Sequence, residues 1–296
     1  MALDRPALDR AALDKAALDK AALDRVVRTA LAEDLAHGPD VTTAACVPAG
    51  ARVDAVIATR AAGTLAGLPA ALAVLDAVLG ADGYQVTERH ADGDRLAPGD
   101  VALRLSAPTA GLLTAERTAL NLLCHLSGVA TATTAWVDAV AGTGCRIRDS
   151  RKTLPGLRVL QKYAVRCGGG VNHRMGLGDA VLVKDNHVAA LGSVSAAIAA
   201  VRRHAPELPC EVEVTTLDEL DEALDAGVSL VLLDNMSPAQ CAAAVERVRG
   251  TGTELEASGG LTLDVARAYA DTGVHYLAVG GLTHSSPALD LGLDLR

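Results

Sequence analysis

Five stretches of this chain share one layout, a short strand-like run carrying or followed by a residue that can bind charge. Lys184 ends AVLVK, Glu213 lies in CEVEV, and Asp234 ends SLVLLD. Ser258-Gly259-Gly260 follows ELEA, and Gly280-Gly281 follows HYLAV. Successive members are 29, 21, 24 and 22 residues apart, close to one strand plus one helix each. In a β/α barrel the strand C-termini converge on one mouth, where sites are built. A charge after one strand is usually a solvated loop residue, but five in succession make a ring. The last two loops, ASGGL and VGGLTHS, put glycines and hydroxyls before a turn or helix. Backbone N–H groups exposed in that way can cradle a phosphate. In barrels the phosphate pocket follows the last two strands. Glycines serving only the turn geometry would explain either loop alone.

Cations gather beside this ring. Between Arg146 and His187 there are nine Lys or Arg against three Asp, a window of +6 in a chain of net charge −9. Only five of the 27 basic residues are lysines, and three of those are Lys152, Lys162 and Lys184. Arg158, Lys162 and Arg166 recur at helical spacing in LRVLQKYAVRCG and can form its solvated face, the preferred reading for Arg158 and Arg166. Arg151, Lys152, His173, Arg174 and Lys184 fall in loops or at strand ends instead. Three acids cannot pair with all of these, so an anionic ligand of several charges is expected. Phosphate loops, a cationic cluster, and Glu213 and Asp234 together suggest group transfer with Mg²⁺, which takes one or two carboxylates, waters and substrate phosphates.

These residues need a frame. From about Arg117 strand-like runs alternate with helical ones, which implies a parallel sheet or barrel. Thr216 with Glu219 fits a capping box, and Ser237-Pro238 fits an N-cap followed by Pro at the first helical position. Residues 26–116 mix patterns. VVRTALAEDLAHG reads as a helix stopped by Gly38, VDAVIATRAAG and VALRLSA as strands, and LPAALAVLDAVLG as a helix, together a small α+β domain. Residues 2–25 repeat ALD(R/K) every five residues. On a helix that step carries Leu around the axis, so a solvated extension is expected.

Composition sets outer limits. Half of the 296 residues are apolar, yet there is no Phe and one Trp, so Ala, Leu and Val must fill the core. Net acidity argues against broad nucleic-acid binding. No apolar run is long enough for a membrane helix, and the charged N-terminus has no signal-peptide stretch. Six scattered cysteines without a CxxC pair read as reduced thiols, so a cytoplasmic location is expected.

Several of these stretches can now be taken together. AERTALNLLCHLSGVAT (115–131), DSRKTLPGLRVLQKYAVRCGGGVNHRMGLGDAVLVKDNH (149–187), VEV (212–214), LLDNM (232–236), EASGGL (256–261) and VGGLTHS (279–285) closely resemble the quinolinate phosphoribosyltransferase family. The likeness runs in order from about residue 27 to 290, outside the repeat. It implies an α/β chain with an N-terminal α+β open sandwich domain (26–116 plus 286–296) followed by an incomplete α/β barrel (117–285). It further implies a homodimer in which each N-terminal domain faces the other subunit's barrel. The implied reaction joins quinolinate to phosphoribosyl pyrophosphate with Mg²⁺, releases pyrophosphate and CO2, and gives nicotinate mononucleotide for NAD biosynthesis. Carried over by motif, Arg117 (from the neighbouring subunit), Arg151, His173, Arg174 and Lys184 are expected at quinolinate. Lys152, Glu213, Asp234, Ser258, Gly259, Gly260, Gly280, Gly281 and His284 are expected at phosphoribosyl pyrophosphate. Lys152, Glu213 and Asp234 are the expected catalytic residues, with Glu213 and Asp234 on the metal. Ser150, Ala257 and Gly281 depart from the family's usual residues, which weakens any side-chain role at 257. The rival readings are a phosphoribosyltransferase for another pyridine base and a non-catalytic anion-binding or metal-transport accessory protein on the same fold. His187 is open between packing its loop and touching ligand.

Overall fold

A computed structural model describes residues 18–296. Most of the ALD(R/K) repeat lies outside them, but its end does not. Asp19 caps helix α1 (Lys20–Asp34) by accepting the Ala22 N–H at 3.1 Å. Ala22, Leu23 and Val27 of that helix are buried, so the last repeat unit already belongs to a packed helix. The chain then forms α2 (Val41–Cys46), β1 (Arg52–Thr59), β2 (Gly63–Thr64), α3 (Leu68–Leu79), β3 (Gln85–Arg89), β4 (Arg95–Leu96), β5 (Val101–Pro108) and α4 (Thr109–Ala139). Next come β6 (Arg146–Arg148), α5 (Arg158–Cys167), β7 (Val181–Val183), α6 (Asp185–Leu191), α7 (Val194–His204), β8 (Cys210–Val214) and α8 (Leu217–Asp225). The last are β9 (Leu230–Asp234), α9 (Pro238–Arg247), β10 (Glu254–Ser258), α10 (Ala266–Ala270), β11 (Tyr276–Ala278), α11 (Gly281–His284) and β12 (Leu291–Leu295).

The chain divides into two compact units. One comprises the residues up to Thr134, Thr153–Gly169 and Leu282–Arg296. Its sheet is antiparallel in the order β12-β1-β5-β3, so the C-terminal strand pairs with β1. From Leu103 onward β5 alternates as a sheet with one covered face should, with Leu103, Leu105 and Ala107 buried, while Ala102 is buried on the other face. With no Phe available, aliphatic side chains carry the core. Leu103→Ala is expected to lower unfolding free energy by about 2–5 kcal/mol, read as a shifted denaturant midpoint with unchanged slope.

The other unit holds Ala135–Lys152 and Gly170–Gly281. Its six strands are parallel in the order β6-β11-β10-β9-β8-β7. A further parallel bridge joins Arg148 to Val171 on the free side of β6. Followed through the pairing, the strands run round from Val171 to β7 and stop there, which is a barrel left open along one seam. The helices between strands start where hydrogen-bonding side chains satisfy their first N–H groups. Thr216 Oγ1 accepts the Glu219 N–H at 3.2 Å while Glu219 Oε2 accepts the Thr216 N–H at 3.2 Å. Ser237 Oγ accepts the Gln240 N–H, and Pro238 opens α9. Both caps are as the sequence predicts.

Candidate active site

Polar groups emerge at the C-terminal ends of the barrel strands because alternate residues of each strand point inward. The register aligns Asp234 with Ser258, Ser258 with Ala278, and Ala278 with Arg148. Lys184 follows β7, and its ammonium pairs with the Glu213 carboxylate of β8. Glu213 is largely shielded, whereas Lys184 stays partly open to solvent. Asp234 Oδ2 accepts from Asn235 Nδ2 at 2.8 Å. Asn235, at φ 56, is the non-glycine residue of positive φ among the described residues. Its N–H returns to Ser258 O at 2.9 Å, which ties the ends of β9 and β10 together. Gly259 completes this turn at φ +94, and a Cβ there would lie 2.3 Å from Asn235 Oδ1 and 2.9 Å from its backbone nitrogen. Only glycine fits.

Gly280 serves a different purpose. A Cβ on it would lie 2.9 Å from Lys152 Cδ and 3.7 Å from Lys152 Nζ. The bare backbone at the end of β11 is therefore the floor on which the Lys152 stem rests. Upstream, Ser150 Oγ accepts the Lys152 N–H at 3.0 Å, fixing the lysine's backbone from its own loop. Gly280→Ala is expected to displace the ammonium and cut turnover by roughly 10–100-fold with the melting temperature little changed; steady-state kinetics beside a thermal melt checks this.

Beneath the ring the barrel interior is ionic. Arg148 Nη1 donates to Glu256 Oε2 at 2.6 Å, and His173 Nε2 lies 2.8 Å from Glu211 Oε2 and 3.8 Å from Glu256 Oε1. Glu256 is fully buried, and Glu211 and His173 nearly so. Burial, followed by the Glu211 charge, pushes the Glu256 carboxyl up to about 8, against the pull of Arg148. Between the ordinary carboxylate range and that value the folded chain keeps a proton that the unfolded chain releases. Stability should therefore fall as pH rises through this window. Glu256→Gln is expected to flatten the melting temperature between pH 5 and 8; a wild-type pH slope retained in the variant would contradict this.

His173, Glu211 and Glu256 offer three ligand atoms within 4.8 Å of one another, which raises the question of a metal. The ring's other nitrogen answers it. His173 Nδ1 accepts the Arg174 backbone N–H at 2.7 Å. A backbone N–H can only donate, so the ring proton sits on Nε2, where a metal would need a lone pair. Metal-binding histidines use the opposite arrangement, with the second nitrogen donating. The cluster fits a proton better than a metal.

The sequence-predicted residues are distributed as follows. Lys184 meets Glu213, Lys152 meets Gly280, and the loops after Asp234 and after Ser258 are joined by the bond from Asn235 N–H to Ser258 O. Gly260, at φ +59, follows in the same loop, and Gly281 opens α11. His173 turns inward to Glu211. Arg174 Nη1 donates to Ala180 O at 3.0 Å, and burial followed by the Arg151 charge lowers its pKa. Arg151 Nε is buried with no hydrogen-bond partner, a donor that an anion could use. Arg117 and His284 belong to the first unit, where both are exposed, and His284 Nδ1 lies 2.7 Å from Ser285 Oγ. His187 is exposed and its Nδ1 accepts the Lys184 N–H at 2.9 Å, a role in capping α6. Ala257 is buried, pointing away from the interior side of β10 that carries Glu256 and Ser258.

Sequence reasoning passed over Asp149, Arg148, Glu211 and Glu256. For Arg148, Glu211 and Glu256 the signal was present: RIR, EVE and ELEAS place charged or polar residues at alternate positions, all on one strand face. Lys162 was also underrated. It reads with Arg158 and Arg166 as a helix face, yet it is fully buried, while both arginines are partly exposed.

The sequence itself decides the family. Residues 40–127 match the quinolinate phosphoribosyl transferase N-terminal domain, and 129–294 match its C-terminal domain. The chain belongs to the quinolinate phosphoribosyltransferase family. It is 59% identical over 271 residues to a Mycobacterium leprae protein named nicotinate-nucleotide pyrophosphorylase [carboxylating], covering 91% of this chain and 95% of the relative. The human protein of that name is 37% identical, over 87% of each chain. The solved nicotinate-nucleotide pyrophosphorylase of Francisella tularensis superposes with a TM-score of 0.88 at 36% identity, covering 95% of this chain and 98% of the other. Human nicotinic acid phosphoribosyltransferase, at 15% identity and a TM-score of 0.58, shares the fold alone. In this chain an N-terminal sheet-and-helix part precedes a six-stranded parallel sheet, in the order of the two matched domains.

Proposed function

We propose that this chain transfers the phosphoribosyl group of phosphoribosyl pyrophosphate to the nitrogen of quinolinate, with decarboxylation to nicotinate mononucleotide. The observation that carries the reading is the mouth of the barrel, where Lys152, Lys184, Glu213, Asp234 and the Ser258-Gly259 turn occupy strand ends in a chain whose family is quinolinate phosphoribosyltransferase.

Arg151, His173, Arg174 and Lys184, with Arg117 from a second subunit, make the proposed dicarboxylate pocket. The exposure of Arg117 suits a role outside its own chain. Lys152, Glu213, Asp234, the glycines 259, 260, 280 and 281, Ser258 and His284 make the proposed phosphoribosyl side. The cations orient the pyridine nitrogen toward ribose C1. The N–C1 bond forms as the C1–O bond to pyrophosphate breaks, and Lys152 neutralises charge on the leaving group. Glu213 and Asp234 favour positive charge developing on the ribose. The resulting pyridinium accepts the electron pair left on the adjacent ring carbon when CO2 departs, and a solvent proton completes that carbon.

Glu213 and Asp234 lie at or beside the C-terminal ends of the neighbouring strands β8 and β9. That donor set suits Mg²⁺, which takes one or two carboxylates with waters and substrate phosphates. Mg²⁺ held there would supply charge neutralisation for pyrophosphate. No helix among the described residues is long and apolar enough to cross a membrane, and all six cysteines are free, which supports a cytoplasmic enzyme. The deciding experiment incubates the protein with quinolinate, phosphoribosyl pyrophosphate and Mg²⁺. Quinolinate loss with matching nicotinate mononucleotide and CO2 is expected; no product over a range of pH and metal would refute the proposal.

A further inference from the structure

The proposed dicarboxylate pocket has an acid built into its wall. Glu211 sits on β8 two residues before Glu213, on the same inward face, with its carboxylate against the His173 ring. A negative charge beneath a site for a dianion works against binding, so its presence calls for another reason. The geometry supplies one. His173 is held by hydrogen bonds at three points. Its backbone N–H donates to Asp149 Oδ1 at 2.9 Å, its Nδ1 accepts from Arg174 N at 2.7 Å, and its Nε2 lies 2.8 Å from Glu211. The first fixes the backbone, from the Asp149 carboxylate past β6, and the second fixes one ring nitrogen, from the adjacent residue. Glu211 alone among these three reaches the far side of the ring. On that side a cavity of about 300 Å³ opens, lined by His173, Arg174, Glu211 and the starts of β7, β8, β9 and β10. Without an anchor at Nε2 the imidazole has room to turn into this space, and the Arg174 backbone bonded to it would be released.

We propose that Glu211 is a positioning residue for the dicarboxylate pocket, holding the His173 ring in its Nε2–H tautomer and, through the ring, the Arg174 backbone. This rests on the quinolinate reading above. What Glu211 provides is an acceptor rather than a charge. Its second oxygen, Oε1, is buried with no hydrogen-bond partner, so the bond to the His173 ring is the one its carboxylate makes across the interior.

Two variants separate acceptor from charge. Glu211→Gln keeps an acceptor for Nε2–H and removes the negative charge. It is expected to keep the Michaelis constant for quinolinate within about 3-fold of wild type. Glu211→Leu removes the acceptor and is expected to raise that constant about 10-fold or more, with the constant for phosphoribosyl pyrophosphate unchanged. Equal losses in both variants, or constants for both substrates rising together in Glu211→Leu, would overturn the proposal. The second measurement is ¹⁵N NMR of the histidine ring in the substrate-free protein, which needs no turnover. The Nε2–H tautomer is expected for His173 in wild type and in Glu211→Gln. An Nδ1–H tautomer in wild type overturns the proposal even if Glu211→Leu does not fold. Wild-type protein that never consumes quinolinate would instead overturn the enzymatic reading and leave the ring measurement standing.

Discussion

Lys152→Ala and Arg174→Ala should each give a folded protein whose turnover is at least ~100-fold below wild type, the usual consequence of deleting one preorganised charge at a reacting centre. Neither residue contributes much to folding. Lys152 is exposed and lies over the bare backbone of Gly280, so truncation empties surface space, not core. Arg174 is held in a partly buried position where desolvation and the Arg151 charge both disfavour its cationic form. Removing it relieves that repulsion and gives up the bond to Ala180 O and the attraction of Asp179 and Glu211, so the variant should melt close to wild type. A bound carboxylate reverses the balance: it gains most from a cation that is already poorly solvated. The two variants should differ in character. Arg174→Ala should weaken quinolinate binding along with turnover, whereas Lys152→Ala should act on turnover, because its partner is charge that grows as pyrophosphate leaves. Arg174→Lys should recover little, since an ammonium cannot bond Ala180 O and a carboxylate in the planar fork geometry of a guanidinium. Near-normal turnover in either alanine variant would refute the assignment.

The ring of strand-end groups was legible because it depends on a one-dimensional signal. Interval and residue type survive without coordinates, and Lys184, Glu213, Asp234 and Ser258 all sit at or beside the C-terminal ends of parallel strands. The capping residues Thr216 and Ser237 were legible for the same reason, since a cap acts within four residues of itself. What the residues did not disclose is which cations look inward. His173 and Arg174 are neighbours in sequence with the same apparent chemistry. One is buried against Glu211 and the other reaches back to Ala180, because the segment crosses the open seam of the barrel. Lys162 defeated helical-face reasoning for a related reason. A helix packed on more than one side has no wet face to assign, and all of Leu160–Val165 is buried. The acidic interior was missed because a charge in a strand is ordinarily taken for its solvent face. In a barrel both faces are covered, the outer by helices and the inner by the opposite strands, so alternation in EVE and RIR marks an interior.

The second large effect is expected at a residue with no place in the proposed chemistry. Asp149 is fully buried one position past β6, and its carboxylate serves the segment that carries His173 and Arg174. One oxygen accepts from Asn172 Nδ2 and the other from the His173 N–H at 2.9 Å, while its own N–H reaches Val171 O at 3.3 Å. Asp149→Ala leaves the buried His173 N–H and the half-buried Asn172 amide without these acceptors. At about 1–3 kcal/mol for each donor that stays unsatisfied, a loss of roughly 2–4 kcal/mol is expected. In a chain of this size that lowers the melting temperature by roughly 5–10 °C. Turnover should fall further than stability implies, by about 100-fold, because an error of about 1 Å in a positioned group suffices for that. Asp149→Asn separates the two effects. Its carbonyl can still accept the His173 N–H, and a flip of the Asn172 amide lets the new NH2 donate where the old carboxylate accepted. The amide variant should therefore recover most of the stability and at least a tenth of wild-type turnover. Thermal melts and quinolinate kinetics on the pair decide the matter. An Asp149→Ala protein that melts and turns over as wild type would show that the His173–Arg174 segment keeps its place without the carboxylate.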